Sequence, residues 1–125
     1  MVVTTTKLVN DHVPIEKRYN RSRYFKREYP DSIPIFVQYK YNIHRYLVPR
    51  DNNFGHLLIA FRRKLSLKSS MGLISLIEKQ DEDNSDVVKS YQLATSQTIG
   101  ELSERYLSDD GFLYINITTE NVFGA

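Results

Sequence analysis

The segment Ile33-Pro34-Ile35-Phe36-Val37-Gln38-Tyr39 consists mainly of β-branched and aromatic residues, a composition typical of a β-strand. Proline lacks the N–H that a central strand needs, so Pro34 favours an edge strand or the start of a strand. Tyr41-Asn42 is a plausible turn, and a second apolar run extends from Ile43 to Val48 before Pro49. The two runs together predict a β-hairpin.

An amphipathic helix is predicted directly after this hairpin. Its apolar residues recur at steps of three and four: Phe54, Leu57, Leu58, Phe61 and Leu65. This spacing places them on one helix face. Asp51 or Asn52 is the expected N-cap. The basic run 62–64 falls in the last turn, where positive charge stabilises the helix dipole. We expect Leu58 and Ile59, with Ile115 farther along the chain, to belong to the core.

The C-terminal half contains further predicted elements. Residues 71–77 are predicted to form a third strand, and residues 79–90 a charged loop without apolar periodicity. Thr98-Ile99-Gly100-Glu101 matches a capping box, which predicts a short helix through Leu107. The turn at residues 109–111 leads into a final strand over residues 112–117.

Two short helices are predicted at the N-terminal end. Asp11 can cap the first, which has Pro14 in its first turn, and Ser22 can cap a second that ends before Pro30. We therefore expect a flexible tail over 1–10, a helical subdomain over 11–30 and a single α+β domain over 11–117. Residues 118–125 are expected to form a C-terminal tail. The order of strands and helices after residue 30 is that of a ubiquitin-like β-grasp fold, preceded here by two additional helices.

Composition argues against several classes of function. The 125 residues carry a net charge of +2 and contain no cysteine, which excludes disulfides and a thiol nucleophile. Three histidines without ligand spacing, and no phosphate loop or metal motif, argue against an enzyme, a cofactor or a metal site. We expect neither a membrane span nor a secretory signal. The charge is also too small for a dedicated nucleic-acid binder.

The charge is distributed unevenly along the chain. Residues 1–50 hold 10 Lys/Arg against 4 Asp/Glu, whereas residues 51–125 hold 7 against 11. The basic residues concentrate between Lys17 and Arg27, the acidic ones in Asp81-Glu82-Asp83. A solvated helix face, an acidic peptide partner and an anionic membrane surface are all compatible with this pattern.

The chain ends in Phe123-Gly124-Ala125 after a short polar stretch. Glycine has no Cβ, so its carbonyl group can enter a narrow active-site channel. Removal of Ala125 would expose the carboxylate of Gly124, as in a ubiquitin-like modifier that partner enzymes attach to a target.

Several segments, in order over roughly residues 10–125, resemble the GABARAP-type autophagy modifiers. They are Glu16-Lys17-Arg18, Tyr29-Pro30-Asp31, Ile33-Pro34-Ile35, Arg45-Tyr46-Leu47-Val48-Pro49, Phe61-Arg62-Arg63-Lys64-Leu65, Phe112-Leu113-Tyr114-Ile115 and Val122-Phe123-Gly124. The chain departs from that pattern in a shorter connection between the first two strands and in an acidic insertion over residues 79–90.

The resemblance implies a modifier rather than a catalyst. A dedicated cysteine protease would cut the Gly124–Ala125 bond, with Phe123 filling a pocket on the protease. E1-like and E2-like enzymes would then join Gly124 to phosphatidylethanolamine. The protein would be cytoplasmic and, once lipidated, would lie on the autophagosomal membrane. The alternative is a soluble adaptor that binds peptides without lipidation.

The resemblance also implies a groove for cargo receptors that carry an aromatic-x-x-aliphatic motif, bound as an added strand along the second strand. The aromatic pocket would be lined by Phe25, Pro34, Phe36, Leu47 and Phe112. The aliphatic pocket would be lined by Tyr46, Val48, Pro49, Leu57 and Phe61. The acidic residues that flank such motifs would be attracted by Lys26, Arg45 and Arg62.

Overall fold

The computed structural model describes residues 13–84 and 86–120. In chain order these residues form α1 (Ile15–Glu28), β1 (Ser32–Tyr39), β2 (Asn42–Pro49), α2 (Phe54–Lys64), β3 (Leu73–Gln80), β4 (Val88–Gln92), α3 (Ile99–Tyr106) and β5 (Leu113–Thr119). The strands form one mixed sheet in the order β2-β1-β5-β3-β4, in which β1 and β5 are parallel and the other neighbours antiparallel. This is the predicted α+β, ubiquitin-like architecture.

The core lies between the sheet and α2. Along β1 the side chains alternate strictly, so that Ile33, Ile35, Val37 and Tyr39 are buried on the helix side. Phe61 of α2 packs edge-on against Tyr39, with ring centroids 5.4 Å apart. The same face of β5 contributes Leu113, Ile115 and Ile117, none of them more than 1% exposed. Ile59, predicted as core, is instead 50% exposed. It lies outside the apolar stripe that faces the sheet.

The predicted β1–β2 hairpin is confirmed. Eight residue pairs join the two strands, from Ser32 opposite Pro49 to Tyr39 opposite Asn42. Lys40 and Tyr41, rather than the predicted Tyr41-Asn42, make the turn, and Lys40 has φ of 56°. A positive φ at the first central residue is typical of the tight turns that match the twist of a hairpin.

The two helices predicted after the first hairpin are present, and one of their caps differs from the prediction. The side chain of Asn53, rather than Asp51 or Asn52, caps α2 by accepting a hydrogen bond of 3.1 Å from the backbone N–H of His56. The capping box of α3 is confirmed: Thr98 and Glu101 each bond the other's backbone N–H.

The N-terminal helix α1 is continuous over Ile15–Glu28, so the predicted helix start at Ser22 is wrong. Ser22 lies inside the helix, where its hydroxyl donates to the carbonyl oxygen of Tyr19 at 2.9 Å. Neither proline nor glycine interrupts these fourteen residues, so nothing in the backbone forces a break. Asp11 and the tail over 1–10 lie outside the described residues.

The prediction of a charged loop over residues 79–90 is also wrong. Strand β3 continues to Gln80, and residues 88–92 form β4, which pairs antiparallel with β3. All five residues of β4 are exposed, so the strand shows none of the alternation by which sequence indicates a half-buried strand. The acidic segment forms the tip of this second hairpin.

The last strand is longer than predicted. Strand β5 extends to Thr119, which pairs with Leu73, and the backbone N–H of Glu120 donates to the carbonyl of Gly72. The predicted domain end at residue 117 therefore falls inside β5. Residues 121–125, including Phe123, Gly124 and Ala125, lie outside the described part of the chain.

Candidate functional site

The face of the sheet opposite α2 carries an aromatic cluster, formed by Phe25, Phe36 and Phe112. Phe36 and Phe112 have ring centroids 4.9 Å apart, and Phe25 of α1 lies edge-on to Phe112 at 6.4 Å. Phe112 is buried at 2% exposure, whereas Phe25 and Phe36 are partly accessible. The cluster joins the N-terminal helix to β1 and to the start of β5.

The two remaining residues of the predicted aromatic pocket lie on the same face. Pro34 of β1 is opposite Leu47 of β2 in the register, and directly opposed residues share a face of the sheet. Leu47 is 37% exposed. All five residues predicted for this pocket are therefore brought to one face, although they come from α1, β1, β2 and the residue before β5.

Strand β2 forms one edge of the sheet. Hydrogen-bonded and non-hydrogen-bonded pairs alternate along an antiparallel ladder. The two-residue turn makes Tyr39–Asn42 a hydrogen-bonded pair, so the backbone groups of His44, Tyr46 and Val48 point towards β1. The backbone groups of Ile43, Arg45 and Leu47 then point away from the sheet and are available to another strand.

The five residues predicted for the aliphatic pocket divide into two groups. Val48, Leu57 and Phe61 belong to the core, with exposures of 7%, 4% and 0%. Tyr46 is partly buried and Pro49 is exposed. Of the five, Tyr46 and Pro49 thus present surface, Tyr46 on the α2 side of the sheet and Pro49 on the opposite side, as the register with Ile35 and Ser32 shows.

The predicted basic residues are also separated. Arg45 lies over the aromatic cluster, with its Cζ 5.8 Å from the ring centroid of Phe36. Arg62 donates to the carbonyl of Lys68 at 3.0 Å and so is engaged with the loop that follows α2. Lys26 is exposed on α1. Arg45 is therefore the predicted cation that directly borders the cluster.

Polar side chains on the core side of β2 are partly removed from water. Burial raises the pKa of Tyr46, whose hydroxyl has no hydrogen-bond partner among the described residues. Burial, and then the charge of Lys64, lower the pKa of His44 below its usual 6.5. Lys64 Nζ lies 5.4 Å from the centroid of the Tyr46 ring. Burial and the charge of Lys64 therefore favour the neutral form of His44 near pH 7.

A buried ion pair that the sequence did not reveal fixes α1 to the sheet. The carboxylate of Asp110, 1% exposed, accepts hydrogen bonds from the backbone N–H of Phe112 at 3.1 Å and from the hydroxyl of Tyr114. It also pairs with Arg18 of α1 at 3.4 Å. The Asp-Asp-Gly sequence indicated a turn, and an aspartate that bonds a backbone N–H two residues on is common in turns. No local signal connects it to an arginine 92 residues away.

Within 13–84 and 86–120 there is no group of three or more histidine or acidic side chains that could hold a metal ion. In that part of the chain, no helix is both long and apolar enough to cross a bilayer.

The sequence of the chain is similar to that of known proteins. Residues 17–124 match the family model described as "Autophagy protein Atg8 ubiquitin like". Autophagy-related protein 8 of Dictyostelium discoideum is 29% identical over 131 residues, covering 99% of this chain and 98% of the relative. Its counterpart in Schizosaccharomyces pombe is 28% identical, covering 92% of each. Autophagy-related protein 8d of Arabidopsis thaliana is 27% identical, covering 89% of each.

A solved structure extends the comparison to the fold. The crystal structure of Trypanosoma brucei ATG8 superimposes with a TM-score of 0.68 at 24% identity, covering 89% of this chain and 92% of that one. The two proteins therefore share the fold of the sheet and its helices. The modest identity indicates that their sequences have diverged.

Proposed function

Because the chain belongs to the Atg8 family of ubiquitin-like autophagy proteins, we propose that it is a modifier conjugated to phosphatidylethanolamine through Gly124. A cysteine protease removes Ala125, with Phe123 recognised beside the cleaved bond, and E1-like and E2-like enzymes transfer the new C-terminus to the lipid. The family match ends at Gly124, which supports this residue as the attachment point.

Conjugation would change where the protein resides. A single acyl chain gives marginal membrane binding, whereas two chains anchor stably. Phosphatidylethanolamine supplies two chains through one amide bond. The protein would therefore be cytoplasmic before conjugation and would lie on the autophagosomal membrane after it.

The conjugated protein would recruit cargo receptors through the edge of β2. The observation that carries this part of the proposal is an unpaired strand edge next to a partly accessible aromatic cluster. A peptide strand would bond the outward-facing backbone groups of Arg45 and Leu47, because main-chain bonds supply affinity in β-augmentation. Its aromatic side chain would enter between Phe25, Phe36 and Leu47.

The aliphatic residue of the motif would contact Tyr46 on the α2 side of β2, near Pro49 at the end of the strand. Val48, Leu57 and Phe61 would form the floor beneath Tyr46. Arg45 and Lys26 would attract acidic residues that flank the motif, an effect mainly on the association rate that weakens with salt.

The intact mass of the protein recovered from the membrane fraction of autophagy-induced cells tests the lipidation. We expect loss of Ala125 and a phosphatidylethanolamine adduct, and we expect Gly124→Ala to abolish the adduct. An unmodified chain ending in Ala125 would contradict the modifier and would favour a soluble adaptor that only binds peptides.

A further inference from the structure

A second concave site lies between α1, the start of β1 and α3, and it uses a different set of residues from the peptide groove. The cavity has a volume of about 310 Å³. Ser22 and Arg23 line it from α1, Leu107 and Gly111 from the loop after α3, and Ser32 from β1. None of the three aromatic-cluster residues lines it; only Lys26 and Pro34 belong to both sets.

Three basic side chains line this cavity: Arg23, Lys26 and Arg50. Within the described part of the chain, neither Arg23 nor Lys26 takes part in an ion pair. Among the described residues, Asp109 is the one acidic residue of the lining. The excess of basic over acidic lining residues favours a negatively charged ligand.

Arg50 has a partner that it can release. Its guanidinium lies 3.6 Å from the carboxylate of Glu104, whose side chain is 73% exposed. Exposed pairs of this kind contribute little free energy. Arg23 and Arg50 can thus present two planar guanidinium groups, the side chains best suited to bidentate contact with phosphate oxygens.

The surroundings of the cavity favour a membrane as the source of that group. On α1, six Lys/Arg accompany only two Glu. Tyr29, directly after this helix, is 47% exposed, and Leu107 at the cavity is 43% exposed. Basic residues beside exposed aromatic and aliphatic side chains are typical of surfaces that contact anionic bilayers.

We propose that this cavity binds the phosphomonoester headgroup of an anionic phospholipid, as found in a phosphorylated phosphatidylinositol. Arg23, Arg50 and Lys26 hold the phosphate, and Tyr29 and Leu107 rest at the membrane surface. The site acts without conjugation at Gly124, so it orients α1 towards the bilayer before or after lipidation.

Vesicle flotation with the full-length, unconjugated chain tests this. One vesicle preparation contains phosphatidylcholine with a phosphatidylinositol monophosphate, and the other contains phosphatidylcholine with phosphatidylserine at the same surface charge. We expect binding to the phosphoinositide vesicles to be at least about fivefold stronger, the contribution of one well-placed basic residue at such a surface.

Two double variants of equal charge separate the cavity from the general charge of α1. Arg23→Gln/Arg50→Gln removes two lining cations and is expected to bring the ratio of the two affinities to about one. Arg21→Gln/Arg27→Gln removes two exposed cations of α1 that do not line the cavity. It is expected to weaken binding to both vesicles while preserving their ratio. Circular dichroism establishes that each variant is folded.

Amide shifts measured with soluble inositol bisphosphate provide the second readout, and we expect them at Ser22, Ser32 and Gly111. Equal binding of the wild-type chain to the two vesicle types would overturn the proposal, as would an equal loss of the ratio in both double variants. A phosphoserine peptide that shifts these amides, with no preference among vesicles, would overturn it in favour of a protein ligand.

Discussion

The two edges of the sheet present the same backbone chemistry in different surroundings. Strand β2 pairs with β1 over eight residues, and its outer face borders a packed aromatic cluster and Arg45. Strand β4 pairs with β3 over five residues, all of them exposed, and Val88 is 53% exposed. Free N–H and C=O groups alone would make either edge a template for another strand.

Side chains distinguish the two edges. Beside β2, α1 adds an aromatic side chain to the cluster, because Phe25 packs on Phe112. The pairing of Arg18 with Asp110 holds α1 in this position. Beside β4, Lys89 forms an ion pair with Asp81 at 3.5 Å, and Tyr91 contacts Tyr106 with ring centroids 5.5 Å apart. A specific peptide site therefore depends on the packing of the helix as much as on the strand edge.

The largest expected effect concerns the contact that holds α1 beside β2. Asp110→Ala removes the partner of Arg18 and Tyr114 and leaves a largely buried arginine uncompensated. We expect the free energy of unfolding to fall by about 3 kcal/mol. Relative to the wild-type chain, amide exchange should accelerate more in α1 than in the β3–β4 hairpin. Urea denaturation and hydrogen exchange measure both. Asp109→Ala, at an exposed neighbour, should change stability by less than about 0.5 kcal/mol, and an equal loss there would contradict the assignment.

The second prediction concerns the β2 edge itself. The N–H of Arg45 faces away from the sheet, so Arg45→Pro removes a donor that only an added strand uses. We expect at least about a tenfold loss of affinity for an acidic Trp-x-x-Leu peptide, measured by fluorescence anisotropy, corresponding to one or two lost backbone hydrogen bonds. The fold should tolerate proline on an edge strand.

Two controls separate the loss of the N–H from the loss of the charge and from any effect at the β4 edge. Arg45→Gln removes the charge while keeping the N–H and should mainly slow association. Val88→Lys on β4 should leave the affinity unchanged. A loss of stability of about 3 kcal/mol in Arg45→Pro would show that its N–H belongs to the β1–β2 ladder, and the orientation derived for this edge would then be wrong.

A smaller, pH-dependent effect is expected on the core side of β2. Because the pKa of His44 is lowered on folding, the unfolded state binds more protons below pH 6.5, and stability falls as the pH drops through that value. The midpoint of thermal unfolding should therefore decrease between pH 7.5 and 5.5, and this slope should flatten in His44→Gln. His56→Gln, on the exposed face of α2, is the matched control. An unchanged slope in His44→Gln would contradict this origin.

The smallest effect is expected at the turn that sets the β2 register. Lys40 adopts φ of 56°, a conformation that glycine reaches without steric cost. Lys40→Gly should stabilise the fold by about 0.5 kcal/mol, visible as a higher urea midpoint. Tyr41→Gly, at a residue without positive φ, should not stabilise. A gain of similar size in Tyr41→Gly would contradict the prediction, because it would show that an added glycine stabilises the turn whatever the φ of the residue it replaces.

Much of the fold could be predicted because its signals are local. The β1–β2 hairpin, the stripe of α2 and the capping box of α3 each depend on residues within a few positions of one another. The aromatic pocket residues were also predicted, through the family resemblance, and the sheet brings Phe36 and Leu47 to one face. Whether they bind a peptide stays a prediction.

The errors arose where a local signal was absent or misleading. Ser22 suggested a helix cap, but its hydroxyl bonds within the turn, and the helix continues. Strand β4 has no buried side to impose alternation, so residues 88–90 were predicted as part of a loop. Leu57 and Phe61 are buried by the sheet that their helix faces, and their role in a peptide pocket stays a prediction.

The sequence by itself determined the elements whose periodicity or caps are written in neighbouring residues, and it determined the terminal glycine on which the proposed conjugation depends. Only the tertiary structure decided the pairing of Arg18 with Asp110, the second hairpin and the cavity beneath Arg23 and Arg50. These features join groups far apart in the chain, and their free energy comes from burial and charge that exist only once the sheet has formed.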